Sequence, residues 1–246
     1  MALKASPNDQ AKLLEVQALD NLIQQLEHRA KSLPQLAKLS ALEGESNLLR
    51  VDLLSASGAV EDAERELARI ESDVALVQAR IARDTERLQT SSSVKDVTGL
   101  ESEIATLSRR QNELEEIELV LMERVEELNA DHRALQAKNE ESLSVGAEII
   151  TERDQLLGEM ARERNESAAN RAKLASGLPE DLMALYERQR ARYGQGASML
   201  RGGVSAASGV KLNESDLAAI RSAFPDEIML CPDSSAILVR TGESGL

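Results

Sequence analysis

From Val60 to Leu88 the side chains that can leave water recur in steps of three and four: Val60, Ala63, Leu67, Ile70, Val74, Val77, Ile81, Asp84 and Leu88, with only Asp84 polar. That is the a/d stripe of a coiled coil, and a stripe of this length has to be buried against a second helix. A second stripe follows through Leu100, Ile104, Leu107, Gln111, Leu114, Glu118, Leu121, Val125, Leu128, His132 and Leu135. Gln111, Glu118 and His132 are its polar members. Between the two lies "QTSSSVKDVTG", residues 89–99, whose serines and glycine interrupt the pattern. A short break between two long stripes lets the chain turn back and close one against the other. The expected architecture is therefore an antiparallel coiled-coil hairpin with its tip near Ser93. Asp96 or Thr98 is expected to cap the second helix. After Leu135 the pattern thins to Leu143, Ile149, Leu156 and Met160, which suggests a phase shift there.

Upstream, Asp9 to Lys31 reads as a helix with Leu13, Val16, Leu19, Ile23 and Leu26 on one side. Pro34 is expected to break or kink the chain near 33–35. Folded about Ser93, residues 8–32 lie opposite roughly 154–178. The composition agrees with long helices rather than a globule, since aromatic residues make up 1% and charged residues 29% of the 246. The acids outnumber the bases 43 to 29, for a net charge of −14. Nucleic acid would be repelled by such a chain unless a local basic patch overrides the balance. The single cysteine excludes an internal disulfide framework and fits a reducing compartment. No signal peptide or membrane span is expected, so a cytoplasmic protein is.

The fold class expected is mainly α: residues 1–178 form the hairpin, 179–200 a neck helix with a Gly-rich linker, and 201–246 a small α+β module. Gly177 suits a helix C-terminus, and Pro179 with Glu180 and Asp181 opens the neck helix. In the module, "NESDLAAIRSAF" reads as a short helix capped by Asn213 or Ser215. "EIMLC" and "AILVR" read as a strand pair joined across "PDSS".

Two short spacings recur in that module, Ser205-x-x-Ser208 and Cys231-x-x-Ser234. With "LLEVQALDNLIQQLEHRAKSLP", "SRRQNELEEIELVLMERVEEL", "GLPEDLMALYERQR", "LNESDLAAIR" and "PDEIMLCPDSSAILVRTGESGL", the chain resembles bacterial helical-hairpin proteins that end in a C4-type zinc ribbon, and most of all their actinobacterial branch. The resemblance implies cysteines at all four spacing positions. Here Ser205, Ser208 and Ser234 stand in for three of them and only Cys231 agrees. Serine hydroxyls do not replace thiolates on zinc. No metal and no other cofactor is expected, and Cys231 reads as a small buried hydrophobe. The four positions should still meet as two facing turns, held by bonds from serine hydroxyls and Asp233 to backbone amides. Phe224, Ile228, Leu230 and Ile237 should line the inside.

One basic cluster stands out: Tyr186, Arg188, Arg190, Arg192, Tyr193 and Arg201. Arginine interleaved with tyrosine can grip phosphates and stack bases. The alternative is that this neck packs on the module. His28 and His132 are lone helical histidines, read as surface or seam residues. No phosphate loop, Ser/His/Asp set or HExxH motif occurs. A non-enzymatic adaptor that binds protein partners is therefore expected, as a monomer or homodimer. The resemblance implies similar roles beside secretion, flagellar or transcription machinery. Nucleic-acid binding through neck and module is the alternative.

Overall fold

The computed structural model describes residues 3–245. Five helices and four short strands follow one another: α1 (Pro7–Lys31), α2 (Pro34–Thr90), α3 (Val94–Ser176), α4 (Glu180–Tyr193), β1 (Ala197–Arg201), β2 (Val204–Ser205), α5 (Glu214–Ser222), β3 (Met229–Leu230) and β4 (Ile237–Val239). They form two compact units. One is Gln35–Thr151, and the other joins Met1–Pro34 to Glu152–Leu246. The unit that contains α1 thus also holds the last part of α3 and the C-terminal module.

In the first unit α2 and α3 run antiparallel. Near their junction Arg80 of α2 pairs with Glu103 of α3. Far from it, a Cβ on Gly146 would stand 3.2 Å from Leu42 Cδ2. The seam is densest around Ile70, Val74, Leu114 and Leu121. The turn is only residues 91–93, much shorter than the expected 89–99. The cap is Ser93, whose hydroxyl accepts the Asp96 amide at 3.4 Å, and not Asp96 or Thr98. A serine just outside the helix leaves its hydroxyl free for the first unpaired amides.

The expected phase shift is absent. Along α3, shielding from solvent continues in steps of three and four through Leu135, Asn139, Ser142, Gly146, Ile149, Arg153, Leu156 and Met160. The side chains change there and the register does not, so Leu143 points to solvent. From Leu36 to Ala59, α2 likewise has no fully buried residue.

In the second unit α1 starts at Ser6, whose hydroxyl accepts the Asp9 amide at 3.1 Å, with Pro7 in the first turn. Its lower end meets α3 where Leu26, with Leu33 of the break that follows, packs on Met160. Its upper end gives Leu13 and Val16 to a core shared with Leu182 and Tyr186 of α4 and with Ile237 and Val239 of β4. Gly194, at φ 86°, ends α4 in the left-handed conformation. The sheet order is β2-β1-β4-β3, with β1 and β4 parallel and the other pairs antiparallel. The expected strand pair is present, with Met229 opposite Leu238 and Leu230 opposite Ile237. Its neighbour β1 starts at Ala197, inside the stretch read as linker. The expected helix is α5, capped by Asn213, whose side chain accepts the Asp216 amide at 2.8 Å. Before α1, the chain bridges back at Lys4 to Glu227, and Ala5 donates its amide to Asp226 at 2.8 Å.

Candidate functional site

The two short spacings of the module form matching turns. The Gly209 amide donates to the Ser205 carbonyl at 2.8 Å, and the Ser235 amide donates to the Cys231 carbonyl at 2.8 Å. The residue closing each turn is left-handed: Gly209 at φ 68° and Ser235 at φ 59°. A serine tolerates that conformation less readily than glycine, so the second turn is held by its surroundings. Cys231 and Ser205 are buried, at 1% and 0% exposure.

Burial pushes the Cys231 thiol up. The hydroxyls of Ser205 and Ser234 and the amides of Ser234 and Asp233, directed at the sulfur, outweigh this and leave it below its ordinary value. Ser205 Oγ also lies 3.2 Å from Ser198 Oγ, which accepts the Ala207 amide at 2.8 Å. Ser234 Oγ is buried without a regular hydrogen-bond partner. Ser208 behaves differently, since its hydroxyl accepts the Val210 amide at 3.2 Å within its own turn. Three of the four positions therefore gather at one sulfur. Asp233 contributes its amide and not the expected carboxylate. Among the described residues no group of three or more His, Cys, Asp or Glu side chains could hold a metal ion.

The module is fastened by an arginine in its centre. Arg240 donates to the carbonyls of Ile220, Ala223, Phe224, Pro225 and Glu227, at 2.7 to 3.3 Å, so one cation closes the end of α5 and the loop after it. The core beneath is Leu200, Leu212, Leu217, Ile220, Cys231 and Leu238. Two expected core members are corrected. Leu230 is exposed because strand side chains alternate and its neighbour Met229 takes the inner side. Phe224 is 68% exposed in the loop after α5, with the Lys4 ammonium 5.5 Å from its ring.

The neck cluster separates into buried and exposed members. Tyr186 is fully buried, and its hydroxyl donates to Asp20 at 2.7 Å. Burial first, and that bond second, hold its phenol above the ordinary range. It has no face left for a base, which corrects its place among the expected nucleic-acid contacts. Asp20 also pairs with Arg171 and Arg190, each at 3.2 Å, and Glu187 completes the group through both arginines. Gln17 accepts the Gly196 amide at 2.7 Å and the Ala197 amide at 3.2 Å. Arg190 is therefore committed to the fold, and Arg201 pairs with Glu243 at 3.0 Å. Arg188, Arg192 and Tyr193 remain exposed, with the Arg192 guanidinium 5.3 Å from the Tyr193 ring.

Sequence reasoning missed Gln17 and Asp20. The available signal was their polarity next to Leu13 and Val16 on the side of α1 that faces inward.

The arm carries a different surface. Ile117, Leu119, Val120 and Met122 of α3 are exposed, Leu119 at 62% and Val120 at 64%. They sit in a run from Glu113 to Glu127 that holds seven glutamates and one basic residue, Arg124. Among the described residues no helix is long and apolar enough to cross a membrane.

A long antiparallel hairpin joined to a small mixed module defines a coiled-coil hairpin protein. The chain belongs to the CT398-like coiled coil hairpin domain family, whose model matches residues 16–194. It is 34% identical to protein Rv2229c of Mycobacterium tuberculosis, over 97% of this chain and 98% of that protein. A solved structure from Mycobacterium smegmatis is similar at 32% identity, with TM-score 0.84 over 97% of this chain and all of that one. CT398 of Chlamydia trachomatis shares the fold, with TM-score 0.61 at 15% identity over 95% and 98% of the two chains.

Proposed function

We propose that this chain is a non-catalytic adaptor whose arm binds a basic amphipathic segment of another protein. The observation that carries this reading is the exposed apolar run Ile117 to Met122 among the glutamates of α3. Exposed apolar residues in a contiguous patch mark a contact surface. A strongly acidic rim selects a partner of opposite charge and repels nucleic acid. The test uses the whole chain as bait beside a Leu119→Ser/Val120→Ser chain. Proteins captured by the first and lost by the second, cross-linked to α3 through Lys- or Arg-rich segments, support the reading. If the whole chain recovers nothing above background yet binds RNA tightly, the reading fails.

Under the same proposal the C-terminal module is a zinc-ribbon relative of the actinobacterial type that folds without its ion. Arg240 and the apolar core would do the work that metal does in a true ribbon. Its melting should not change in EDTA, and elemental analysis should find no zinc. One zinc per chain would refute it. A second reading, nucleic-acid contact through exposed Arg188, Arg192 and stacked Tyr193, predicts binding that weakens steeply with salt. No binding at low salt removes it.

A further inference from the structure

The helix α2 carries a second stripe at coiled-coil spacing, on the side turned away from α3. Its seam positions are Leu39, Leu42, Ser46, Leu49 and Leu53, all partly shielded. The outer set is Ala37, Ala41, Gly44, Leu48, Val51 and Ser55, spaced by four and three and all exposed. Leu48 is 70% exposed and Val51 64%. No charge falls on this stripe; Lys38, Glu45 and Asp52 lie along one edge and Ser40, Asn47 and Leu54 along the other. A Cβ placed on Gly44 would meet nothing within 4 Å, so the glycine leaves an open notch.

We infer that this face pairs with the same face of a second copy, antiparallel, about a two-fold axis near residue 46. In a two-fold contact the patch must complement itself, and this one does so in three respects. The notch at Gly44 lies opposite Leu48 of the second copy. Small Ala41 lies opposite Val51, and Ala37 opposite Ser55. Antiparallel two-fold pairing brings like edges together, so Lys38 meets Asp52, twice by symmetry, and the other edge meets its copy through uncharged Ser40, Asn47 and Leu54. A single like-charged pair remains at the axis rim, Glu45 with its own copy.

The contact spans ~27 Å of helix, at about 1.5 Å per residue. An interface this short gives reversible, concentration-dependent pairing rather than a permanent dimer. This goes beyond the adaptor reading. A chain that stays monomeric removes the pairing and leaves partner binding at Leu119 and Val120 untouched.

Sedimentation equilibrium of the full chain tests it. The apparent mass should rise from 26.8 kDa toward twice that value as concentration increases. Leu48→Glu, at an exposed position, should leave the circular dichroism melt unchanged and hold the chain monomeric. Asp52→Lys should weaken pairing about tenfold, two edge pairs being lost at once. Adding Lys38→Asp to it should restore pairing, because the charges are then exchanged and not removed. Glu45→Gln should tighten it. A wild-type chain that stays monomeric throughout, or a charge exchange that remains as weak as Asp52→Lys, overturns the proposal.

Discussion

The two compact units use polar residues in opposite ways. Around α1 and α4 the polar groups are inside: Asp20, Gln17 and Tyr186 are buried, and they answer one another and the backbone of residues 196–197. Along the arm the polar groups are mostly outside, and an apolar surplus lies outside with them, at Leu48, Val51, Leu119 and Val120. A buried network fixes one arrangement at the cost of tolerating no missing member. A two-helix seam tolerates change and leaves most of each helix free for contact. The unit around α1 and α4 is built to be unique, and the arm to be accessible.

The sharpest way to break this contrast is Asp20→Ala. It strands Arg171, Arg190 and the Tyr186 hydroxyl, and should cost about 3–5 kcal/mol of stability in the unit that contains them. A thermal melt read by calorimetry checks it, and a loss below about 1 kcal/mol would mean the network is ornamental. Next is Gly196→Ala. Its Cβ would fall 2.5 Å from the Tyr186 ring, which is itself enclosed and cannot retreat. A loss of about 1–3 kcal/mol is expected in the same melt. The smallest effect has the opposite sign. Asp84 occupies a seam position of the arm, 6% exposed, with one carboxylate oxygen unsatisfied and Arg80 and Arg87 no closer than 3.9 and 3.7 Å. Asp84→Leu should stabilise the arm by about 1 kcal/mol, visible as a higher urea midpoint. Destabilisation instead would show that the arm, too, depends on a buried charge.

What could be read in the sequence follows the same division. The stripes Val60–Leu88 and Leu100–Leu135 were legible because each seam residue needs only to be apolar at a fixed spacing, and one dimension of pattern carries that. Pro34 and Asn213 were legible because helix ends are set by a neighbouring residue or two. The region after Leu135 misled because Asn139, Ser142 and Gly146 hold seam positions without apolar character. The hub at Asp20 was not legible, since its partners Arg171 and Tyr186 lie far along the chain and no local spacing links them. Nor could the sequence tell that the two turns of the module would keep matching 2.8 Å closures while the Ser208 hydroxyl bonds within its own turn.

The bond between Asp20 and Tyr186 joins residues 166 positions apart, and this separation imposes a schedule on biosynthesis. The inner side of α1 leaves the ribosome early, yet the side chains that cover it are made only after the whole arm. At translation rates of about 5–20 residues per second the wait is on the order of ten to thirty seconds. During that interval Leu13, Val16 and Asp20 stand uncovered on a nascent chain, and the arm can close on itself first. Assembly of the base is thus the late, long-loop step, and the interval in which a chaperone would find this chain is written into its order of elements.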